Sequence, residues 1–154
     1  FDKIKDLPTS VRKIKKHKPD VFVDDYIQEV IVPGESERRF QIEQIMRTYK
    51  WVAKETNSSG LLLSQLKRIE DRINPTPTMG DYSEGATIEH ASESCCFIYY
   101  PYYFDSVGND EFTSNFIVKK ARYGRIGKYT IGFLGEKCKF FNTPTEAQKY
   151  KAAV

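Results

Sequence analysis

Few residues in this chain have both the type and the spacing that chemistry uses. Glu89 and His90 stand a few positions before the adjacent cysteines Cys95 and Cys96, which are the side chains of a general base and a thiol nucleophile. Nothing in their spacing marks a base poised on a nucleophile. Asp24–Asp25 and Glu70–Asp71 are paired carboxylates, and each pair reads as a solvated face rather than an acid–base couple. His90, Cys95, Cys96 and Cys138, with His17 remote, offer neither C-x-x-C nor H-x-x-x-H spacing, and adjacent cysteines chelate poorly. No phosphate-binding glycine loop is present. On these residues no catalytic group, metal or cofactor is assigned, and a small enzyme with a site near His90 and Cys95 or Cys96 ranks third among the functional readings.

Binding chemistry is better represented, because charge is sorted along the chain. Residues 1–20 carry seven Lys/Arg against three Asp, a net of +4, and residues 118–154 carry nine against two Glu, a net of +7. The 97 residues between them hold eight basic and sixteen acidic groups, a net of −8. Two basic ends around an acidic middle suit an anionic partner or the acidic middle of another copy. The amino-terminal candidates are Arg12, Lys13, Lys15, Lys16 and Lys18. Those at the carboxyl end are Lys119, Lys120, Arg122, Arg125, Lys128, Lys137 and Lys139, with Tyr123, Tyr129 and Phe141 among them. Cations at such intervals match phosphates, and exposed rings stack on bases; on the solvent face of a sheet the same lysines would serve solubility and edge protection. Tyr99, Tyr100, Tyr102 and Tyr103 belong to a second candidate surface, the aromatic run Phe97–Phe104, which suits a protein interface.

The elements that must position these residues change character near residue 74. Residues 9–17 allow a short helix before Pro19, but with Val11 and Ile14 as its apolar content a flexible arm is expected. Val21–Val32 is β-rich with a kink at Asp24–Asp25. Ile42, Ile45, Met46, Tyr49, Val52 and Ala53 form one stripe of a helix over 36–56. Leu62, Leu66, Ile69 and Ile73 predict a second helix over 61–73, and the short link between the two makes a helical hairpin. Asn74–Gly80 is a loop. Beyond it, Thr87–Ala91 reads as a short strand, Cys95–Phe104 as a strand that Pro101 splits or places at an edge, and Phe112–Arg122, Lys128–Leu134 and Lys137–Phe141 as strands joined by tight turns. Thr143, with Pro144 next and Glu146 three residues on, caps a terminal helix. This strand–strand–strand–helix order, ending in Phe141, Thr143, Glu146 and Ala147, loosely resembles the small DNA-binding modules of plant AP2-type factors and integrase arm-binding domains, which implies a nucleic-acid-binding sheet.

The expected fold is therefore α+β: a basic arm over 1–20, then one domain over 21–154. Within that domain a mainly helical half (21–74) and a mainly β half (81–154) flank the loop 74–86. A small antiparallel sheet of three to five strands is closed by a carboxyl-terminal helix. Three cysteines cannot all pair, which suits a reducing compartment, and no apolar run approaches the ~18 residues that span a bilayer. The leading expectation is a non-enzymatic subunit of a larger assembly, viral or nucleoprotein, docking through its basic ends and aromatic strand. A start at Phe1 rather than Met fits a processed or trimmed subunit. The expected partners are other protein subunits and DNA or RNA, with no membrane, in the cytoplasm or a virus particle. The alternative is a free-standing DNA- or RNA-binding regulator that uses the basic carboxyl-terminal sheet.

Overall fold

A computed structural model of the chain describes residues 6–68, 74–83 and 85–153. They fall into two compact units. One comprises the chain up to Lys67 together with Met79–Ser92, the other Arg68–Thr78 together with Glu93 onward.

The first unit opens with helix α1 (Leu7–His17). The Asp6 carboxylate accepts a hydrogen bond from the Thr9 amide at 2.8 Å, and Pro8 sits in the first turn, where its missing N–H costs nothing. Lys18, at φ 43°, closes the helix by donating its N–H to Ile14. Leu7 and Ile14 are buried. The expected flexible arm is thus a helix over 7–17. Two apolar side chains suffice because α1 packs on a second helix, and Lys15 bridges to Glu55 there at 3.1 Å.

Strand β1 (Val21–Asp24) follows and stops before Asp25. A 3-10 turn, Ile27–Glu29, buries Ile27. Helix α2 (Arg38–Thr56) then buries Ile42, Ile45, Met46, Tyr49 and Val52 on one stripe, each contributing roughly 1.5–3 kcal/mol of transfer free energy. Asn57, in the left-handed region at φ 53°, ends it.

The helical hairpin does not form. Ser59–Leu62 is a strand, β2, parallel to β1 with Val21 opposite Ser59, Phe22 opposite Gly60 and Val23 opposite Leu61. Three consecutive leucines satisfy a helical period and a buried strand equally; the open edge of β1, some 40 residues back in sequence, decides between them. The later part of the expected helix, residues 69–73, lies outside the described residues. Gly60 sits against the Phe22 ring, and a Cβ there would lie 2.7 Å from the ring. The ring in turn meets Tyr49 of α2 at 5.5 Å, so this face of the parallel pair is covered by its own crossover helix. Thr87–Ala91, expected as a strand, belongs to helix α3 (Gly85–Ala91).

The second unit is an antiparallel sheet in chain order: β3 (Ser94–Tyr99), β4 (Thr113–Ala121), β5 (Gly127–Leu134) and β6 (Lys139–Phe141). Pro101 ends β3 in a 3-10 turn, and β3 is an edge strand. Helix α4 (Pro144–Ala152) is capped by the Thr143 hydroxyl, which accepts from the Glu146 amide at 3.3 Å; the Glu146 carboxylate accepts in return from the Asn142 amide at 3.2 Å. Gly132 of β5 lies directly against the Thr143 carbonyl, with no room for a Cβ. Cys95, Phe97, Tyr99, Ile117 and Leu134 are buried. The small antiparallel sheet and its terminal helix stand as the sequence indicated.

Candidate functional site

A parallel pair joined by a crossover helix places the carboxyl ends of both strands on one edge, and in open α/β sheets ligands bind in the crevice outside those ends. Here β1 ends at Asp24, with Asp25 just past it, and β2 is followed by Leu63-Ser64-Gln65. The ladder continues past both strands, since the Leu63 amide donates to the Asp24 carbonyl at 2.9 Å and the Ile27 amide to the Leu63 carbonyl at 3.0 Å. Gln28 locks the two segments together. Its Nε2 donates to the Ser64 hydroxyl at 2.9 Å, and its Oε1 accepts from the Gln65 amide at 3.1 Å.

The two aspartates then part company. Asp24 accepts a hydrogen bond from the Tyr49 hydroxyl on α2. Burial, then that bond, push the Tyr49 phenol well above its usual range, so it remains a donor. Asp25 is exposed at the strand end, as is Gln65 across the edge. The Asp25 carboxylate, the Ser64 hydroxyl and the Gln65 side chain thus all belong to segments at the carboxyl edge of a parallel pair, the edge where open α/β sheets bind ligands. Sequence reasoning set Asp24–Asp25 aside as a solvated face. The signal available was a β-rich run ending in two carboxylates, one amphipathic helix, and a leucine run ending in Ser-Gln.

The residues singled out from the sequence are distributed as follows. Lys15 of α1 lies against α2, paired to Glu55 and 4.0 Å above the Trp51 ring, and Arg12 bonds Thr9 within α1 at 3.2 Å. Lys16 and Lys18 are exposed and Lys13 is half-buried. In the second unit, Lys119, Lys120, Arg122, Arg125 and Lys128 gather at the tip of the β4–β5 hairpin beside exposed Tyr123 and Tyr129. Arg122 is held there by both oxygens of Glu93, at 3.1 and 3.2 Å. Lys137 and Lys139 belong to the opposite end of β5, about 20 Å away at the rise of a strand. Lys139 lies 3.9 Å above Tyr150. The carboxyl-terminal cations therefore form two groups rather than one.

Of the proposed interface aromatics, Tyr99 is a core residue, 8% exposed. Tyr100 donates to the Glu111 carbonyl at 2.8 Å, Tyr102 is half-buried, and Tyr103 is open to solvent. Cys95 and Cys96 point to opposite faces of β3, and burial raises the Cys96 thiol, the reverse of an activated nucleophile. His90 is exposed on α3. Among the described residues no group of three or more His, Cys, Asp or Glu is arranged to hold a metal ion, and no helix is long and apolar enough to cross a membrane.

Comparison with known proteins decides the family. The family described as DnaB-like helicase C terminal domain matches residues 2–142. The chain belongs to the DnaB-like helicases. Over 144 residues it is 28% identical to the replicative DNA helicase DnaB of Geobacillus stearothermophilus, covering 91% of this chain and 32% of that protein. Over 120 residues it is 32% identical to DnaB of Pasteurella multocida, covering 77% of this chain and 26% of the relative. Among solved structures, one described as an ATPase domain superposes with a TM-score of 0.78 at 28% identity, over 87% of this chain and 49% of that one. A DnaB-like replicative helicase, solved in a study of its interactions with primase, superposes with a TM-score of 0.77 at 28% identity, over 86% of this chain and 34% of that one.

The chain thus spans about a third or less of the length of the DnaB relatives it matches. Membership in a helicase family overturns the non-enzymatic reading, the virion subunit and the free-standing regulator together. The family is one of enzymes, the class of the reading ranked third; that reading was attached to His90 and the cysteines.

Proposed function

We propose that this chain supplies part of the ATPase domain of a DnaB-like DNA helicase, and that the carboxyl edge of β1 and β2 is its share of the nucleotide site. The observation that carries the reading is the placement of Asp25 and Gln65 on adjacent parallel strand ends, tied by Gln28, in a chain of this family. ATP hydrolysis requires charge stabilisation at the phosphates and a positioned water. Asp25 fits the first need. Magnesium is bound with one or two carboxylates plus the substrate phosphates rather than in an all-protein cage, and the exposed Asp25 carboxylate is such a donor. A magnesium ion bound there would offset charge on the phosphate oxygens. Gln65 holds an amide where it can orient the attacking water. Gln28 fixes its distance from Asp25, and Tyr49 holds Asp24 against α2 so that Asp25 alone faces the edge. The sequence has no G-x-x-x-x-G-K-[ST] run, so in this reading the phosphate cradle comes from residues other than these 154.

Lys119, Lys120, Arg122, Arg125 and Lys128, with Tyr123 and Tyr129, are the proposed anion-binding tip, facing DNA phosphates or a neighbouring subunit of the helicase. Lys16 and Lys18 remain open to the same role. Three free cysteines fit a reducing cytoplasm.

The test is a hybrid in which this chain replaces the matching segment of the Geobacillus stearothermophilus helicase. DNA-dependent ATP hydrolysis by the hybrid, lost in Asp25→Asn, is the expected result. A folded hybrid whose hydrolysis is indifferent to Asp25 and Gln65 would refute the assignment.

A further inference from the structure

Glu93 and Arg122 stand just beyond the first register pair of the β3–β4 ladder, Ser94 opposite Ala121. They are joined twice. The Arg122 amide donates to the Glu93 carbonyl at 2.9 Å. Arg122 Nη1 donates to Oε1 of the Glu93 carboxylate at 3.2 Å, and Oε2 lies 3.1 Å from Nε. Close by, Lys120 is opposite Cys95 and Val118 opposite Cys96, so Lys119 is the extra residue of a β-bulge. Bulges re-aim side chains and are frequent beside functional sites.

The ion pair does little for the fold. Its side chains are 46 and 43% exposed, and pairs so open to water contribute little to stability. What the carboxylate changes is the freedom of the guanidinium. Lys119, Lys120, Arg125 and Lys128 gather at the same hairpin tip. Like charges repel the head of Arg122, and a long side chain without an anchor spreads over many rotamers. An ordered guanidinium instead presents a planar fork that matches phosphate oxygens in pairs. With both contacts to Glu93 counted, three of the five guanidinium N–H donors are left over. A phosphate can therefore join Arg122 with Glu93 still in place.

We infer that Glu93 is a positioning residue for the hairpin tip, which pre-orders the Arg122 guanidinium to receive a phosphate group. The inference deepens the anion-binding reading of the tip and rests on it. The opposite role, a brake that the phosphate must displace, would need the carboxylate to fill the fork, and its hydrogen bond takes one donor. The two roles differ in sign. A brake weakens phosphate binding, whereas a positioning carboxylate strengthens it in spite of its charge.

The test measures dissociation constants of the full chain for two probes, inorganic tripolyphosphate and an oligothymidylate. The variants are Glu93→Gln, Glu93→Asp, Arg122→Ala, and Glu93→Gln combined with Arg122→Ala. Glu93→Gln makes the tip more positive, so charge alone predicts tighter binding. Positioning predicts the reverse, binding weaker by about 2- to 10-fold, the cost of ordering one long side chain. Glu93→Asp should restore most of the loss, and in the Arg122→Ala background Glu93→Gln should cause none. Melting temperatures should stay within about 4 °C of the parent chain.

Loss for tripolyphosphate alone supports the inference with a nucleotide as the source of the phosphate. Loss for the oligothymidylate alone supports it with a DNA strand, and loss for both with either carrier. Unchanged or tighter binding of both probes in Glu93→Gln overturns it, as does a Glu93→Gln chain that fails to fold, which would make the pair structural. If the inference falls while Arg122→Ala weakens binding, the anion-binding tip survives. If Arg122→Ala is also without effect, the tip loses its arginine too. The nucleotide-edge reading is scored apart from both, by Asp25→Asn in the hybrid.

Discussion

The two units of this chain solve the sheet problem in opposite ways. The second builds four antiparallel strands in chain order, each pairing with its neighbour in sequence, the last three joined by short connections. Its pattern is local, its edge is interrupted by Pro101, and a capped helix closes it. The first unit pairs two strands across a 19-residue helix and leaves one face of the pair bare. The second unit gathers cations at the tip of its β4–β5 hairpin, whereas the first sets exposed Asp25 and Gln65 at a parallel strand edge. A site assembled from distant strands can be shared with more sequence. A local meander has no such opening.

The sharpest way to break that comparison is chemical. In the hybrid helicase, Asp25→Asn should lower kcat by roughly 10²-fold or more, the scale of removing one electrostatic stabiliser. Asp24→Asn, one residue away but bonded to Tyr49, should cost far less activity and chiefly reduce stability. Equal losses at both positions would dissolve the distinction between them.

Packing gives the next largest effects. Ile45 is fully buried in α2, so Ile45→Ala should destabilise the first unit by about 2–5 kcal/mol. Gly132→Ala forces a methyl into the Thr143 carbonyl and should cost the second unit about 1–3 kcal/mol. Site-resolved hydrogen exchange reads each loss, and protection should fall in the unit that holds the substitution.

At the hairpin tip, changing Lys119, Arg125 and Lys128 to Glu in the hybrid should weaken single-stranded DNA binding. It should also flatten the dependence of log K on log salt by about 0.7 for each lost phosphate contact. Affinity that falls with an unchanged salt slope would assign the tip to a protein neighbour.

The smallest effect is at the Asp6 cap. Its carboxyl is held below the usual range by the Thr9 amide, then the Thr9 hydroxyl. A group depressed in the folded state stabilises above its unfolded pKa and loses that contribution as pH falls through the folded value. The stability gap between the chain and Asp6→Ala should therefore close in acid, a shift measurable by thermal melting between neutral pH and pH ~3.

The helix over 38–56, the four strands of the second unit and the Thr143 cap were legible in the residues themselves. Each depends on periods of 3.6 or 2, or on a cap within four positions, and such signals survive without knowledge of the fold. Leu61–Leu63 was not legible in the same way. Its leucines fit either period, and the choice fell to β1, which can be recognised as a partner only once the chain has crossed back through α2. The fate of Asp24 and Asp25 followed from the same pairing. By identity the two residues are one motif, but the crossover helix takes Asp24 for Tyr49 and leaves Asp25 on the edge beside Gln65. Sequence alone determined where the charges and apolar stripes lie and which segments are helical or extended by local preference. Only the tertiary structure decided which strand ends meet, because parallel pairing joins residues about 40 positions apart and no local pattern records the partner.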